Sequence, residues 1–126
     1  LLSVLMKAHP NEALRYIVIP MEPDYDDASE VNLQDISKKY GVSTSKLMKW
    51  NELSSQTLKE GQILFLEKKN SSGSVETYRA EKGDNMYSIA QKFAIRLDKL
   101  YDKNRMEYGD KVKEGQLIYL KNRKPR

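Results

Sequence analysis

The chain has no cysteine and a single histidine, His9. Without cysteine, neither disulfides nor thiolate metal sites can staple a small fold, and the redox compartment stays open because a secreted protein need not carry a disulfide. With one histidine outside any motif, a His-based catalytic or metal site is not expected. No stretch approaches the roughly twenty apolar residues of a membrane-spanning helix. The opening Leu1-Leu-Ser-Val-Leu-Met6 is apolar but short, and reads as a trimmed flank, a packing turn or the remnant of a removed segment. Phosphate loops are missing too, since Glu60-Gly61-Gln62 and Glu114-Gly115-Gln116 are single-glycine turns. Ser and Lys recur without a nucleophile elbow. Paired carboxylates doing acid–base work need a cleft and partial burial, which small units supply poorly. Asp24, Asp26, Asp27 and Glu30 lack the glycine and distal glutamate of a twelve-residue calcium loop and read as a solvated acidic loop. These absences exclude most catalytic chemistry and predict a binder with no cofactor and no metal.

What the chain does have is an internal repeat. Leu33-x-x-Ile36, Tyr40-Gly41, Leu47, Asn51 and Gly61-Gln62-Ile63-x-Phe65 return as Met86-x-x-Ile89, Phe93-Ala94, Leu100, Asn104 and Gly115-Gln116-Leu117-x-Tyr119. The offset is 53 residues through the asparagines and 54 from the glycines onward, so one residue is inserted before the last strand of the second copy. Two copies of one small module are expected. Each is near the size at which a core barely suffices.

Within the second copy, Glu76-Thr-Tyr-Arg-Ala80 reads as a strand and Asp84 or Asn85 as the cap of a helix carrying Met86, Ile89, Ala90 and Phe93 on one face. A second helix presents Leu97, Leu100 and Tyr101 and ends near Asn104, before a closing strand Leu117-Ile-Tyr-Leu120. The first copy repeats this. Its first helix buries Leu33, Ile36 and Tyr40 and stops at Gly41, its second runs from Ser43 through Trp50, and Ile63-Leu-Phe-Leu66 closes it. The partner strand is Leu14-Arg-Tyr-Ile-Val-Ile19. Measured from strand tyrosine to helix isoleucine, the first copy spans 20 residues (Tyr16 to Ile36) and the second 11 (Tyr78 to Ile89), so the first loop is nine residues longer, and acidic. The fold class is therefore α+β: two βααβ modules, each with a two-stranded antiparallel sheet packed against a helical hairpin. The expected division is a flank 1–13, a first module 14–69 with an enlarged loop 20–30, a flexible linker 70–75 suggested by Asn70-Ser-Ser-Gly-Ser74, a second module 76–122 and a basic tail 123–126.

Charge is unevenly spread. Residues 16–69 carry seven basic against nine acidic residues, and residues 76–126 carry thirteen against eight. The tail Lys121-Asn-Arg-Lys-Pro-Arg126 either attracts anionic polymers or is a solvated end leading onward. Lys92, Arg96, Lys99, Lys103 and Arg105 form a basic surface on the second copy, with Tyr87, Tyr101 and Tyr108 available for stacking. The first copy sets Lys38, Lys39, Lys46 and Lys49 in a net negative unit, so the repeats do not present matching phosphate footprints and nucleic acid is not the expected partner.

The run Tyr78, Lys82-Gly83-Asp84-Asn85-Met86, Ile89, Phe93, Leu97, Leu100, Asn104, Val112-Lys-Glu-Gly115-Gln116 and Leu120 resembles the LysM module of bacterial cell-wall proteins. The first copy resembles it from Leu33 to Leu66, through Asn51-Glu-Leu53 and Leu58-Lys-Glu-Gly61-Gln62. The resemblance implies non-catalytic binding of glycans containing N-acetylglucosamine, peptidoglycan or chitin. The implied groove lies between the loop after the first strand and the loop before the last. On the second copy these loops supply Gly83, Asp84, Asn85 and Met86, and Arg105, Met106, Glu107 and Tyr108. Gly83 would permit close approach, Asp84 or Asn85 would hydrogen-bond sugar substituents, and Met86 with Met106 would pack on sugar C–H faces. The residues read without the family make Met86 a core residue and Asp84 a cap. Asn85 stands where the family usually has Thr, and the Gly-Asp-Thr segment is replaced in the first copy by Glu30-Val31-Asn32. A weaker first site would use Asn32, Leu33, Leu53 and Ser54, or the first copy is a spacer or a protein-contact module. The implied setting is the bacterial periplasm, cell envelope or secreted space, as the targeting region of a larger protein with a cell-wall hydrolase domain elsewhere. The partner is peptidoglycan or another N-acetylglucosamine polymer. The competing expectation is a protein–protein scaffold with a degenerate groove.

Overall fold

The computed structural model describes residues 7–8, 14–19, 32–59 and 61–126. His9, the opening Leu1–Met6 and the acidic loop 20–30, with its calcium-loop carboxylates, lie outside the described residues. Contacts divide the chain into two compact units, one containing Leu14–Lys68 and the other Lys69–Arg126.

Unit 1 begins its sheet with β1 (Lys7–Ala8) and β2 (Arg15–Val18), then α1 (Leu33–Tyr40), α2 (Thr44–Trp50) and β3 (Ile63–Phe65). β2 pairs antiparallel with β3, Ile17 opposite Leu64, as the repeat predicts. The flank adds what sequence did not anticipate: β1 pairs with β2, extending the sheet to the order β1-β2-β3. α1 starts at Asn32, whose side chain accepts from the Asp35 N–H, and stops at Gly41 in the left-handed region (φ 70°) that a residue without Cβ adopts at least cost. Ser43 caps α2 in the same manner. Leu33, Ile36 and Leu47 pack on Ile17, Ile19, Leu64 and Leu66, all essentially without solvent exposure, while Tyr40 sits at the rim.

Unit 2 runs β4 (Thr77–Arg79), α3 (Met86–Phe93), α4 (Leu97–Lys103) and β5 (Leu117–Tyr119). β4 and β5 pair antiparallel, with Tyr78 opposite Ile118. The core unites Met86, Ile89, Ala90, Ile95, Leu97, Leu100, Ile118 and Leu120. Truncating one such buried leucine typically removes about 2–5 kcal/mol, a large share of what so small a unit has.

Two expectations are corrected. Residues 70–75 are not a free tether: the Asn70 N–H donates to the Ala94 carbonyl, the Arg96 N–H to the Asn70 carbonyl and the Gly73 N–H to the Leu120 carbonyl, which lays the segment along unit 2. The paired registers also show that Tyr78 corresponds to Ile17, not to Tyr16, because Ile118 and Leu64 opposite them match in the repeat. Residues 19–32 therefore connect β2 to α1 where 80–85 connect β4 to α3, a loop eight residues longer, not nine.

Candidate functional site

α3 and α4 run in opposite senses, so the loop entering α3 and the loop leaving α4 meet at one end of unit 2. There the Gly115 N–H donates to the Ala80 carbonyl and the Ala80 N–H to the Gln116 carbonyl. Gln116 also points its Nε2 at the Met106 sulfur, 3.9 Å away. These contacts fix Ala80, from which the first loop leaves, against Gly115 and Gln116 at the end of the second, and Gln116 against Met106.

The first loop is built around Asp84. Its Oδ2 accepts from the Tyr78 hydroxyl at 2.6 Å and from the Glu81 N–H at 2.9 Å, and its Oδ1 accepts from the Ser88 hydroxyl at 3.0 Å. Lys92 lies over the Tyr78 ring, 4.6 Å from its centre. Burial pushes the Asp84 carboxyl up, but the bonds from Tyr78, Glu81 and Ser88 and the Lys92 charge outweigh it, so its pKa falls below the ordinary value. The same hydrogen bond, reinforced by burial and by the charges of Asp84 and Glu81, raises the Tyr78 hydroxyl to about 12. Asn85 is the cap: its Oδ1 accepts from the Ser88 N–H while Ser88 Oγ accepts from the Asn85 N–H, a reciprocal capping box. With these bonds made, the N–H groups of Lys82 and Gly83 and the Asn85 Nδ2 have no protein acceptor among the described residues. A Cβ built on Gly83 would meet nothing within 4 Å, so the loop faces open space there.

In the second loop, Arg105 takes a left-handed conformation (φ 54°) and donates from Nε to the Lys124 carbonyl at 2.8 Å. Met106 is half-buried against the core. The Glu107 N–H donates to Asp110 Oδ2, closing a turn that holds Tyr108 outward, 77% exposed, its ring 5.1 Å from that of Tyr101.

The predicted site residues thus separate. Gly83, Asn85, Glu107 and Tyr108 are exposed at the shared end, and Asp84 orders its loop from within. Met86 is 1% exposed inside the core, so the contact with sugar expected of it is replaced by packing. In unit 1, Asn32 is spent on the α1 cap, Leu33 is fully buried, Leu53 packs on the core and Ser54 alone is exposed.

The repeated asparagines, which mark the repeat in sequence, prove structural. Asn51 Oδ1 accepts from the Phe65 N–H at 2.7 Å, and its Nδ2 donates to the Phe65 and Leu47 carbonyls at 2.9 Å each. Asn104 does the same with Tyr119 and Leu100. Each buried amide serves as an extra rung joining helix end to strand. Gln62 and Gln116 repeat another device, accepting from the N–H three residues earlier. The repeated polar residues are scaffold, and their recurrence beside different loops was the signal.

The family described as the LysM domain matches residues 32–66 and 78–121. The chain belongs to the LysM family. Its modules are of the non-catalytic, carbohydrate-binding class of bacterial cell-wall proteins. Over 109 residues the chain is 32% identical to the membrane-bound lytic murein transglycosylase D of Escherichia coli K12, covering 78% of this chain and 23% of that protein. It is 34% identical over 96 residues to the probable peptidoglycan endopeptidase LytE of Bacillus subtilis, covering 71% and 28%, and 29% identical over 110 residues to an autolysin of Enterococcus faecalis, covering 77% and 15%. The LysM chain spans between 15% and 28% of the length of these relatives. Among the described residues no helix is long and apolar enough to cross a membrane.

Proposed function

We propose that this LysM pair binds peptidoglycan through N-acetylglucosamine, at the end of unit 2 formed by residues 81–85 and 105–110, as the targeting region of a larger envelope protein whose catalytic domain lies elsewhere. The observation that carries the reading is the loop around Asp84, held rigid from inside while its outward N–H groups and the Asn85 amide are left for a ligand. A preordered donor set binds sugar carbonyl and hydroxyl groups without the entropy of ordering a loop. Tyr108 supplies an apolar face for sugar C–H groups beside those donors. The murein and peptidoglycan enzymes among the relatives support the same substrate class.

The test is retention on insoluble peptidoglycan and on chitin, at low and at 0.5 M salt. Asn85→Asp keeps the cap acceptor and adds a charge favoured at a helix N-terminus, yet replaces the outward amide donor. Combined with Tyr108→Ala it should lower affinity about tenfold, or about 1.4 kcal/mol, with unit 2 still folded. Retention indifferent to both changes and erased by salt would transfer the assignment to a protein-contact role.

A further inference from the structure

We infer that unit 2 carries a second, electrostatic face for an anionic phosphodiester polymer of the cell wall, built where residues 121–126 fold back onto the end of α4. The segment does not stand free. The Lys124 N–H donates to the Lys103 carbonyl at 2.7 Å, the Arg105 Nε donates to the Lys124 carbonyl, and Arg123 meets Asp102 at 3.5 Å. The first bond satisfies a carbonyl that the last turn of a helix leaves without a partner, and cations are favoured at that end of the helix dipole.

Capping alone needs one backbone donor. What is assembled at the end of α4 is Lys103, Arg105, Arg123 and Lys124, with Lys121 and Arg126 exposed in the same six-residue segment, Asp102 answering Arg123 and no acidic ion-pair partner for Lys121, Lys124 or Arg126 among the described residues. Gathering cations within a Debye length of about 8–10 Å opposes folding through self-repulsion. The cost is recovered when a polyanion neutralises them and releases its counterions. The repeat supplies an internal comparison. Where unit 2 has Lys103, Arg105 and Lys121, unit 1 has Trp50, Glu52 and Glu67, so the fold itself does not require the cluster. A phosphate-bearing chain fits such exposed cations better than a neutral sugar, which would need fixed directional donors. Residues 121–126 contain no aromatic, and Tyr108 in the neighbouring loop is a single exposed ring, not a platform for successive bases, while the cell-wall family places wall polymers rather than nucleic acid within reach. The face lies beside the loops assigned to glycan and stands independently of that assignment.

The experiment compares binding to cell walls before and after hydrolysis of their phosphodiester polymers, and to purified poly(glycerol phosphate), at 0.1 and 0.5 M salt. The variant Lys121→Gln/Lys124→Gln/Arg126→Gln keeps the backbone bonds and Arg105, and its exposed side chains leave the core untouched. A control neutralises Lys38, Lys46 and Lys49 of unit 1. The expected result is about tenfold tighter binding to intact than to hydrolysed walls at 0.1 M salt, abolished by high salt and by the unit 2 variant but kept by the control. Retention on hydrolysed walls, which reports the glycan site, should not change between the variant and the parent chain. Equal binding to both wall preparations, equal loss in the control, or a variant that binds poly(glycerol phosphate) as the parent does would overturn the assignment. Preference for duplex DNA over poly(glycerol phosphate) at equal phosphate would also overturn it.

Discussion

The residues that matter most for stability here are polar. In a unit of some sixty residues a hydrophobic core alone is marginal, and the buried Asn51 and Asn104 each add three hydrogen bonds. Asn104→Ala would strand the Tyr119 N–H and C=O, and should cost unit 2 about 2–4 kcal/mol by denaturant unfolding. Asn104→Asp keeps one acceptor but buries charge and should cost no less. A second residue-scale prediction follows from Asp84 and Tyr78. Because the Tyr78 pKa is raised to about 12, the bond it donates stabilises fully below the ordinary tyrosine value near 10 and fades as pH climbs from there through about 12. Asp84, lowered in the folded state, contributes above its ordinary value of 3.8 and loses that contribution as pH falls below it. Thermal melts across pH should therefore show both limbs, and Tyr78→Phe should erase the alkaline one attributable to this pair while moving the acid limb to higher pH.

Elements were legible where local chemistry and periodicity agreed. Gly41 and Ser43 marked the end of α1 and the start of α2, and Ile89, Ala90 and Leu100 fell on buried faces, because spacing of three and four on a short helix leaves one face for the core. The segment before β4 was misread for a physical reason: Ser and Gly signal flexibility by composition, whereas Asn70 and Gly73 dock through backbone groups that every residue shares. Met86 shows where periodicity serves better than resemblance: its spacing with Ile89 and Ala90 places it on the core face, where it is 1% exposed, and not on the sugar. Gly73 bears the trace of docking. It is buried, and a Cβ there would lie 3.1 Å from Ile95 Cδ1 and 3.4 Å from Leu120 Cβ. Gly73→Val, which adds branched bulk at that seam, should destabilise unit 2 by about 1–3 kcal/mol. Hydrogen exchange in that variant should be faster at the Asn70 N–H and at the N–H of the substituted position, with the Asn104 rung still protected. Unchanged stability on this substitution would show that the segment moves away at little cost.

At the scale of the whole chain, two modules invite the conclusion that both hold ligand, since joining two sites multiplies apparent affinity by factors of about 10² to 10⁴ when both engage. The residues of unit 1 argue otherwise. Ile17 replaces Tyr78, Val31 replaces Asp84 and Asp35 replaces Ser88, which removes the hydroxyl, the carboxylate and the second hydroxyl that order the unit 2 loop. Ile17 is fully buried, so the position is used for core in one unit and for loop order in the other. Unit 1 keeps the caps, the asparagine rung and the glycine-glutamine turn, all of them scaffold. Because each unit has its own core and its own sheet, residues 69–126 should fold alone, and they should bind insoluble peptidoglycan within about threefold of the full chain, a difference below about 0.7 kcal/mol. A fragment starting at Lys69, rather than at Glu76, preserves the docked segment and is the fair comparison. Affinity about a hundredfold weaker for the fragment would mean that unit 1 engages ligand, through residues other than those that serve unit 2.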